Sequence, residues 1–312
     1  MVSLENKREP LVSVVVITYN SEKTVIETLE SIKAQTYKTI EVIISDDDSK
    51  DASAEICEKW VEKNKNRFVR AKIITHTPNT GTSENMNRAF SKAKGEWIKA
   101  IAADDKLLPN CILDYVDYIN SHPDSNIVFS RVVGFGNMEA AKQWPWLNVK
   151  RFFDNLTPFQ FRIVLSTQNF LPAASVFLKK SIWKDLGGYD ESIPLQEDWP
   201  FWVKAMSNGY IFDFMNKDTV AYRFSEMSIS QGLVTLSERY LDSNKKAISY
   251  ANRSLKELGF PYVYLYHTRR LLRIHLSGMG KVVSILNVFN PAFYKYRKTI
   301  LLFKKLQFCE AT

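Results

Sequence analysis

Four apolar runs in the first 105 residues alternate with segments of helical spacing. This alternation constrains the fold more than any other feature of the chain. Residues 11–18 (LVSVVVIT), 40–45 (IEVIIS), 69–75 (VRAKIIT) and 97–103 (WIKAIAA) are short and dominated by Val, Ile and Ala. Runs of this kind, bounded by turn residues, predict strands buried on both faces. Between them, Val25, Ile26, Leu29 and Ile32 share a helical face behind Ser21, a suitable N-cap. Ile56, Trp60 and Val61 mark a second helix. Met86, Ala89, Phe90 and Ala93 mark a third, opened by Ser83 and stopped at Gly95. Strand and helix in regular turn predict an α/β domain around a largely parallel sheet.

Such a sheet presents its chemistry at the carboxyl ends of its strands. The second run ends in Asp46-Asp47-Asp48 and the fourth in Asp104-Asp105, so two acid clusters are expected on one rim. A third, Glu197-Asp198, opens a later helix through Phe201, Trp202, Val203 and Met206. Adjacent carboxylates repel unless something positive lies beside them. One partner is a divalent cation with oxygen preference, Mg²⁺ or Mn²⁺, shared with a phosphate. The other reading makes these acids helix caps, which suits Glu197 well. Three acid sets on one rim would fit a ligand offering hydrogen-bond donors, phosphates and a hydroxyl. A nucleotide-sugar with an acceptor alcohol offers all three.

The middle of the chain is less regular. Residues 127–135 (IVFSRVVGF) predict a fifth strand, residues 173–178 a short one, and 210–214 and 219–224 two more. Residues 136–170 carry Trp144, Trp146, Phe152, Phe153, Phe159 and Phe161, too aromatic for a linker. They are expected to pack on the sheet and shape a pocket. From about residue 232 the pattern turns helical and basic. Residues 238–312 hold 14 Lys and Arg against 4 Asp and Glu, whereas the rest holds 28 against 30, within a net charge of +8. That shift predicts a domain of residues 1–231 and a basic helical region of residues 232–312. The basic helices, with leucine and aromatic faces, could lie on an anionic membrane; the alternative is a helical cap on the main domain. No apolar window reaches 18 residues, the start lacks a signal-peptide pattern, and the three cysteines lack a ligand spacing. A cytoplasmic protein is expected, with the basic region available to the inner face of the plasma membrane.

Several chemistries are unsupported. There is no G-x-G-x-x-G after the first strand and no G-x-x-x-x-G-K-[ST]. The four histidines form no H-E-x-x-H, and no G-x-S-x-G elbow occurs.

Taken in order, the motifs are Val14-Val15-Val16-Ile17-Thr18-Tyr19-Asn20, Gln35-Thr36-Tyr37 and Glu41 through Asp51 (EVIISDDDSKD). They continue with Asn79-Thr80-Gly81, Gly95-Glu96-Trp97-Ile98, and Ala103-Asp104-Asp105 with Pro109. The last are Gly187-Gly188-Tyr189-Asp190-Glu191 and Glu197-Asp198 followed by Trp202. The set resembles the inverting family 2 glycosyltransferases of bacterial type, which have the GT-A fold, a Rossmann-like, mostly parallel sheet flanked by helices. The resemblance covers roughly residues 10–230.

It implies a nucleotide pocket lined by Thr18, Tyr19 and Asn20, with Asp47 pairing with a uracil ring and Asp46 beside it. It implies that Asp105 holds the metal on the diphosphate, that Asp104 lies near the ribose or the sugar, and that Arg223 meets the diphosphate. Asp198 would be the general base. The implied reaction moves a hexosyl or N-acetylhexosaminyl group from a UDP-sugar to a hydroxyl of a glycan or lipid-linked acceptor, as in cell-surface polysaccharide synthesis. Nucleic acid is not an expected partner.

The chain departs from the family pattern at four places. Ala102 stands where many members carry an acid, Asp48 where a Gly is usual, Met86 where many have Arg, and Phe224 where a His is frequent. The Ala102, Met86 and Phe224 departures support the rival reading, a catalytically inactive glycosyltransferase-like interaction protein docked on a membrane by its basic tail. A nucleotidyl transferase lacks its Gly-rich, basic first loop here.

Overall fold

In a computed structural model of the protein, residues 8–137, 149–225, 237–259, 298 and 301 are described. The first half follows the predicted alternation: β1 (Val12–Thr18), α1 (Val25–Lys33), β2 (Ile40–Asp47), α2 (Ser53–Asn64), β3 (Arg70–His76), α3 (Thr82–Lys92) and β4 (Trp97–Ala102). Next come β5 (Lys106–Leu107), α4 (Cys111–Ser121), β6 (Ile127–Gly136), α5 (Lys150–Asn155), α6 (Pro158–Thr167), β7 (Phe177–Lys179) and α7 (Lys180–Asp185). The described part closes with α8 (Asp198–Ser207), β8 (Phe212–Phe224) and α9 (Glu238–Glu257).

All eight strands form one sheet in the order β3-β2-β1-β4-β7-β6-β8-β5. β1, β2, β3 and β4 are parallel; β7 runs antiparallel to both β4 and β6, and β8 runs parallel to β6. β1 and β2 are buried on both faces, as strands in the middle of a covered sheet must be. One face is covered by an apolar layer that includes Leu29, Ile32, Trp60, Tyr115 and Phe177. The other is covered by Phe90, Phe129, Phe152, Phe161, Trp202, Ala247 and Ile248.

Three expectations change. The two strands read at 210–214 and 219–224 are one strand, β8. β8 carries the extra residues Asn216, Lys217 and Thr219 in register shifts opposite Arg131, whose guanidinium pairs with Asp218 at 2.9 Å. Residues 173–178 are not a strand throughout: Ala173–Ser175 is a tight helical turn, and only Phe177–Lys179 pairs. The aromatic residues Phe152, Phe153 and Phe161 fill core between the sheet and α5–α6 and line no pocket among the described residues. Trp144 and Trp146 lie outside the described residues.

α9 begins the region read as a basic appendage, yet it belongs to the main core. Ala247, Ile248 and Ala251 are buried in the same layer as Phe161 and Val164. The proposed tail helices beyond Gly259 lie outside the described residues, apart from single positions. No helix among the described residues is long and apolar enough to cross a membrane.

Candidate functional site

Three parallel strands end side by side. Thr18 of β1 is in register with Asp46 of β2, and Ile17 with Ala102 of β4. The loops after β1 and β2 are laced together. The Asn20 amide donates to Ser49 Oγ at 2.9 Å and its side-chain oxygen accepts from the Lys50 amide at 2.8 Å. The Ser21 amide donates to Ser53 Oγ, and Glu22 and Asp51 exchange bonds with each other's loops. Asn20 takes φ 48° to do this, a conformation Asn tolerates because its short polar side chain bonds locally. Tyr19 between them projects its ring, 49% exposed. The Thr18 hydroxyl is buried with no hydrogen-bond partner among the described residues.

The Asp46-Asp47-Asp48 cluster divides into three separate tasks. Asp46 accepts from the Ser49 amide and hydroxyl, closing the β2 loop. Asp47 is 2% exposed, and its oxygens meet four donors: the Thr80 amide (3.0 Å) and hydroxyl (2.9 Å), the Gly81 amide (2.7 Å) and Arg88 Nη1 (3.4 Å). A uracil pairing at Asp47 therefore competes with donors from the Asn79-Thr80-Gly81 turn. Asp48 sits at φ 68°, the backbone region that makes Gly usual here, and its carboxylate is held by Lys50 and Thr77. Met86 is in the core at 8% exposure, and Arg88, two residues on, carries the guanidinium toward Asp47 and Thr80.

The acids after β4 are held from α1 and β8. Thr24 Oγ1 donates to the Ala103 carbonyl at 2.9 Å and Thr28 Oγ1 to the Asp105 carbonyl at 2.7 Å. Asp105 is 2% exposed, and its Oδ1 accepts from the Arg223 amide at 2.8 Å; Asp104 is the more open of the two. Arg223 Nε donates to the Asp104 carbonyl, while its Nη2 goes to Glu27 at 3.1 Å and its plane lies over Phe135. Lys106 shares both Glu27 and Phe135.

The guanidinium thus does not bond either carboxylate. Burial pushes both carboxyls upward, and the charge of Asp104 pushes Asp105 further. Two such under-compensated oxygen donors fit Mg²⁺ or Mn²⁺, which bind through one or two carboxylates and complete their shell with water and phosphate. Among the described residues no cluster of three or more acid, His or Cys ligands exists. Ala102 is exposed at the strand end, so a third acid there would have faced outward; Phe224 is buried at 1% and offers no ligand.

Asp198 reaches the same rim by a longer route. β7 pairs antiparallel with β4, so the residues before Phe177 run back alongside the end of β4. That segment carries Asn169, whose Nδ2 donates to Asp198 Oδ2 at 2.7 Å, while the Trp199 amide donates to Oδ1 at 2.7 Å. Burial raises the Asp198 carboxyl; the Asn169 bond opposes the rise. Glu197, beside it, is pushed up to about 8 by burial and by the Asp198 charge. The loop before the pair is fixed from the Asn79-Thr80-Gly81 turn and the start of α3. Ser83 Oγ donates to the Ile193 carbonyl at 2.5 Å, and a Cβ at Gly81 would meet Pro194 at 2.7 Å. Arg239 of α9 adds a bond to Asn79 at 2.6 Å.

The structure brings Thr18, Tyr19, Asn20, Asp46, Asp47, Asp104, Asp105 and Arg223 to one rim, and holds Asp198 through Asn169, on the segment that leads into β7. Sequence reasoning missed Asn169, Arg88, Glu27 and Lys106. Each is a single polar residue in a helix (Arg88, Glu27), a short strand (Lys106) or a loop (Asn169), and the tertiary contact gives it its partner.

The Glycosyl transferase family 2 model matches residues 13–184. The chain is 29% identical over 251 residues to the uncharacterized glycosyltransferase MJ1057 of Methanocaldococcus jannaschii, covering 80% of this chain and 79% of that one. S. aureus TarS 1-349 in complex with UDP-GlcNAc matches with TM-score 0.63 at 20% identity, covering 95% of this chain and 90% of that one. The mannosyltransferase PcManGT from Pyrobaculum calidifontis, in complex with GDP-Man and Mn2+, matches with TM-score 0.57 at 15% identity, covering 97% of this chain and 88% of that one. The chain is a GT-A-fold glycosyltransferase and belongs to glycosyl transferase family 2.

Proposed function

We propose that the protein is an active inverting transferase that moves a hexosyl or N-acetylhexosaminyl group from a UDP-sugar to a hydroxyl of a glycan or lipid-linked acceptor in cell-surface polysaccharide synthesis. The observation that supports this reading is the buried Asp198 carboxylate oriented by Asn169, together with the Asp104–Asp105 pair at the end of β4. Thr18, Tyr19 and Asn20 line the nucleotide pocket, with the exposed Tyr19 ring available to stack on the base. Asp46 and Asp47 stand at the base edge, and Asp47 acts chiefly through the Asn79-Thr80-Gly81 turn it holds. Asp104 and Asp105 are the oxygen donors for Mg²⁺ or Mn²⁺, with Asp105 the metal ligand and Asp104 toward the ribose or sugar. The cation, when bound, neutralises charge on the departing diphosphate as a Lewis acid. Arg223 adds positive charge on the same side.

Asp198 accepts the proton of the acceptor hydroxyl as that oxygen attacks the anomeric carbon. The bond to the diphosphate oxygen breaks on the opposite face, so configuration inverts in one step. A positioned carboxylate base contributes roughly 10²–10⁴-fold. Burial raises its basicity, and the Asn169 bond favours its carboxylate form. Residues 1–231 make up the transferase domain on this reading, and the basic region of residues 232–312 is a peripheral contact to the inner face of the plasma membrane.

The test is a donor screen by released UDP, over UDP-glucose, UDP-galactose, UDP-N-acetylglucosamine and UDP-N-acetylgalactosamine with Mn²⁺, alongside UDP titration with and without Mn²⁺. Turnover of one donor and Mn²⁺-dependent UDP binding are expected. Absence of both would leave the inactive, membrane-docked interaction protein as the reading.

A further inference from the structure

Lys99 is the buried titratable group for which the proposed chemistry has no use. It sits in the middle of β4, wholly buried, on the face shared by Trp97 and Ile101. An ammonium there loses its hydration, and desolvation draws the group down to about 8. No carboxylate lies within ion-pair distance of it among the described residues. Its Nζ instead donates to two backbone carbonyls, Ala100 at 3.0 Å and Ala174.

The place of those carbonyls is informative. β4 and β7 pair only from Trp97↔Lys179 to Lys99↔Phe177. Beyond that point residues 173–175 coil into a tight turn and leave the sheet. The ladder therefore splits beside Ala100, and both edges lose their usual partners. The Lys99 stem reaches from β4 across the split and satisfies one carbonyl on each side. Tyr115 of α4 pins the same turn from beneath: its hydroxyl donates to the Ser175 carbonyl and bonds Ser130 Oγ at 2.8 Å. The turn at 173–175 is thus held from inside by two buried donors on different elements. It is the near end of the segment that carries Asn169, and Asn169 holds Asp198.

We infer that Lys99 is a positioning residue: its ammonium fixes the turn at 173–175 against β4 and so sets where Asn169 presents the Asp198 carboxylate relative to Asp104–Asp105. This rests on Asp198 being the base. A lysine suits the task because a single donor group with a four-carbon stem meets two carbonyls that the ladder has abandoned. An apolar residue would leave both without that donor.

The experiment compares the full chain with Lys99→Met, which keeps the stem's bulk without a donor, and Lys99→Gln, which keeps a donor without charge. Amide hydrogen exchange is followed across the chain. In Lys99→Met, peptides covering 168–176 should exchange about tenfold faster, with β1–α3 peptides unchanged, the mark of local opening. Lys99→Gln should recover most of the protection. In UDP release from UDP-N-acetylglucosamine, kcat of Lys99→Met should fall about tenfold with the donor KM within about twofold, and the acid limb of kcat should move up as the Asn169 bond loosens.

Unchanged exchange at 168–176 overturns the inference. So does a uniform rise across the chain with an unmoved acid limb, which is what a merely structural core lysine would give. If Lys99→Met does not fold, Lys99→Gln and Tyr115→Phe carry the same comparison. Asp198→Asn is measured in parallel. If it keeps wild-type turnover, the base reading has failed, and local exchange at 168–176 alone then decides whether Lys99 fixes the turn.

Discussion

Asp198→Asn is the substitution that isolates the base, because its structural cost can be worked out from two hydrogen bonds. The Trp199 amide donates to Oδ1 at 2.7 Å, and an Asn oxygen can keep that bond. The other contact becomes a conflict. Asn169 Nδ2 donates to Oδ2 at 2.7 Å, and the new amide would face it donor to donor. Asn169 can relieve this by rotating its amide, which gives up the 3.3 Å bond from the Leu171 amide to its oxygen. That is one weak bond, about 1 kcal/mol, or roughly 2–4 °C in melting temperature. The catalytic cost is far larger: losing a positioned base removes roughly 10²–10⁴-fold in kcat, about 3–5 kcal/mol.

The assay pairs UDP release from the donor with calorimetry of UDP in Mn²⁺. A fall of at least about 100-fold in kcat with UDP affinity within about twofold is expected. The pH profile adds a second reading. Burial sets the Asp198 carboxyl above its ordinary value while Asn169 opposes the rise. The wild-type acid limb should therefore lie above the usual carboxylate range, and Asn169→Ala should move it higher. Turnover of Asp198→Asn within about threefold of wild type, far inside the loss expected for a base, would refute the assignment.

Three further outcomes are expected. Burial and the Asp104 charge put the Asp105 carboxyl well above its ordinary value, so its contribution to stability is present below the unfolded value and lost as pH rises. Asp105→Asn, which keeps the Arg223 amide bond, should then raise the melting temperature of the metal-free protein at neutral pH and weaken Mn²⁺-dependent UDP binding at least about tenfold; wild-type affinity in Mn²⁺ would sink the metal role. Glu41 has the opposite sign. Burial alone would raise its carboxyl, but Ser13, the amides of Lys94 and Gly95, and Arg70 together hold it below its ordinary value of 4.5. It therefore contributes stability above that value and loses it as pH falls through the native value. Glu41→Gln should cost about 3 kcal/mol at pH 7, with the gap to wild type closing in acid melts; a gap independent of pH would contradict this. Finally, a chain ending at residue 259 keeps α9 in the core but lacks most of the basic region. It should lose sedimentation with phosphatidylglycerol vesicles that the full chain shows, and equal sedimentation would leave the tail without a membrane role.

The sequence by itself determined the α/β architecture and the rim. Local pattern suffices for both: β-branched runs such as VVVIT and EVIIS can only be buried strands, and acids directly after them must lie at strand ends. The charge shift near residue 232 was equally legible, but it marks composition and not packing. Charge lies on the exposed face of α9, whereas Ala247, Ile248 and Ala251 on the other face complete the core. The structure alone decided what each acid faces. Asp47 is bound by a turn 33 residues away, Asp105 by an amide 118 residues away, and Asp198 by an asparagine 29 residues before it. The Asn79-Thr80-Gly81 turn and Arg223 are visible in the sequence, but no periodicity or spacing pairs them with these acids, and Asn169 has no motif. Only when β7 runs back along β4, and the ladder between them splits at Lys99, does the segment that carries Asn169 leave the sheet beside the acid-bearing strand.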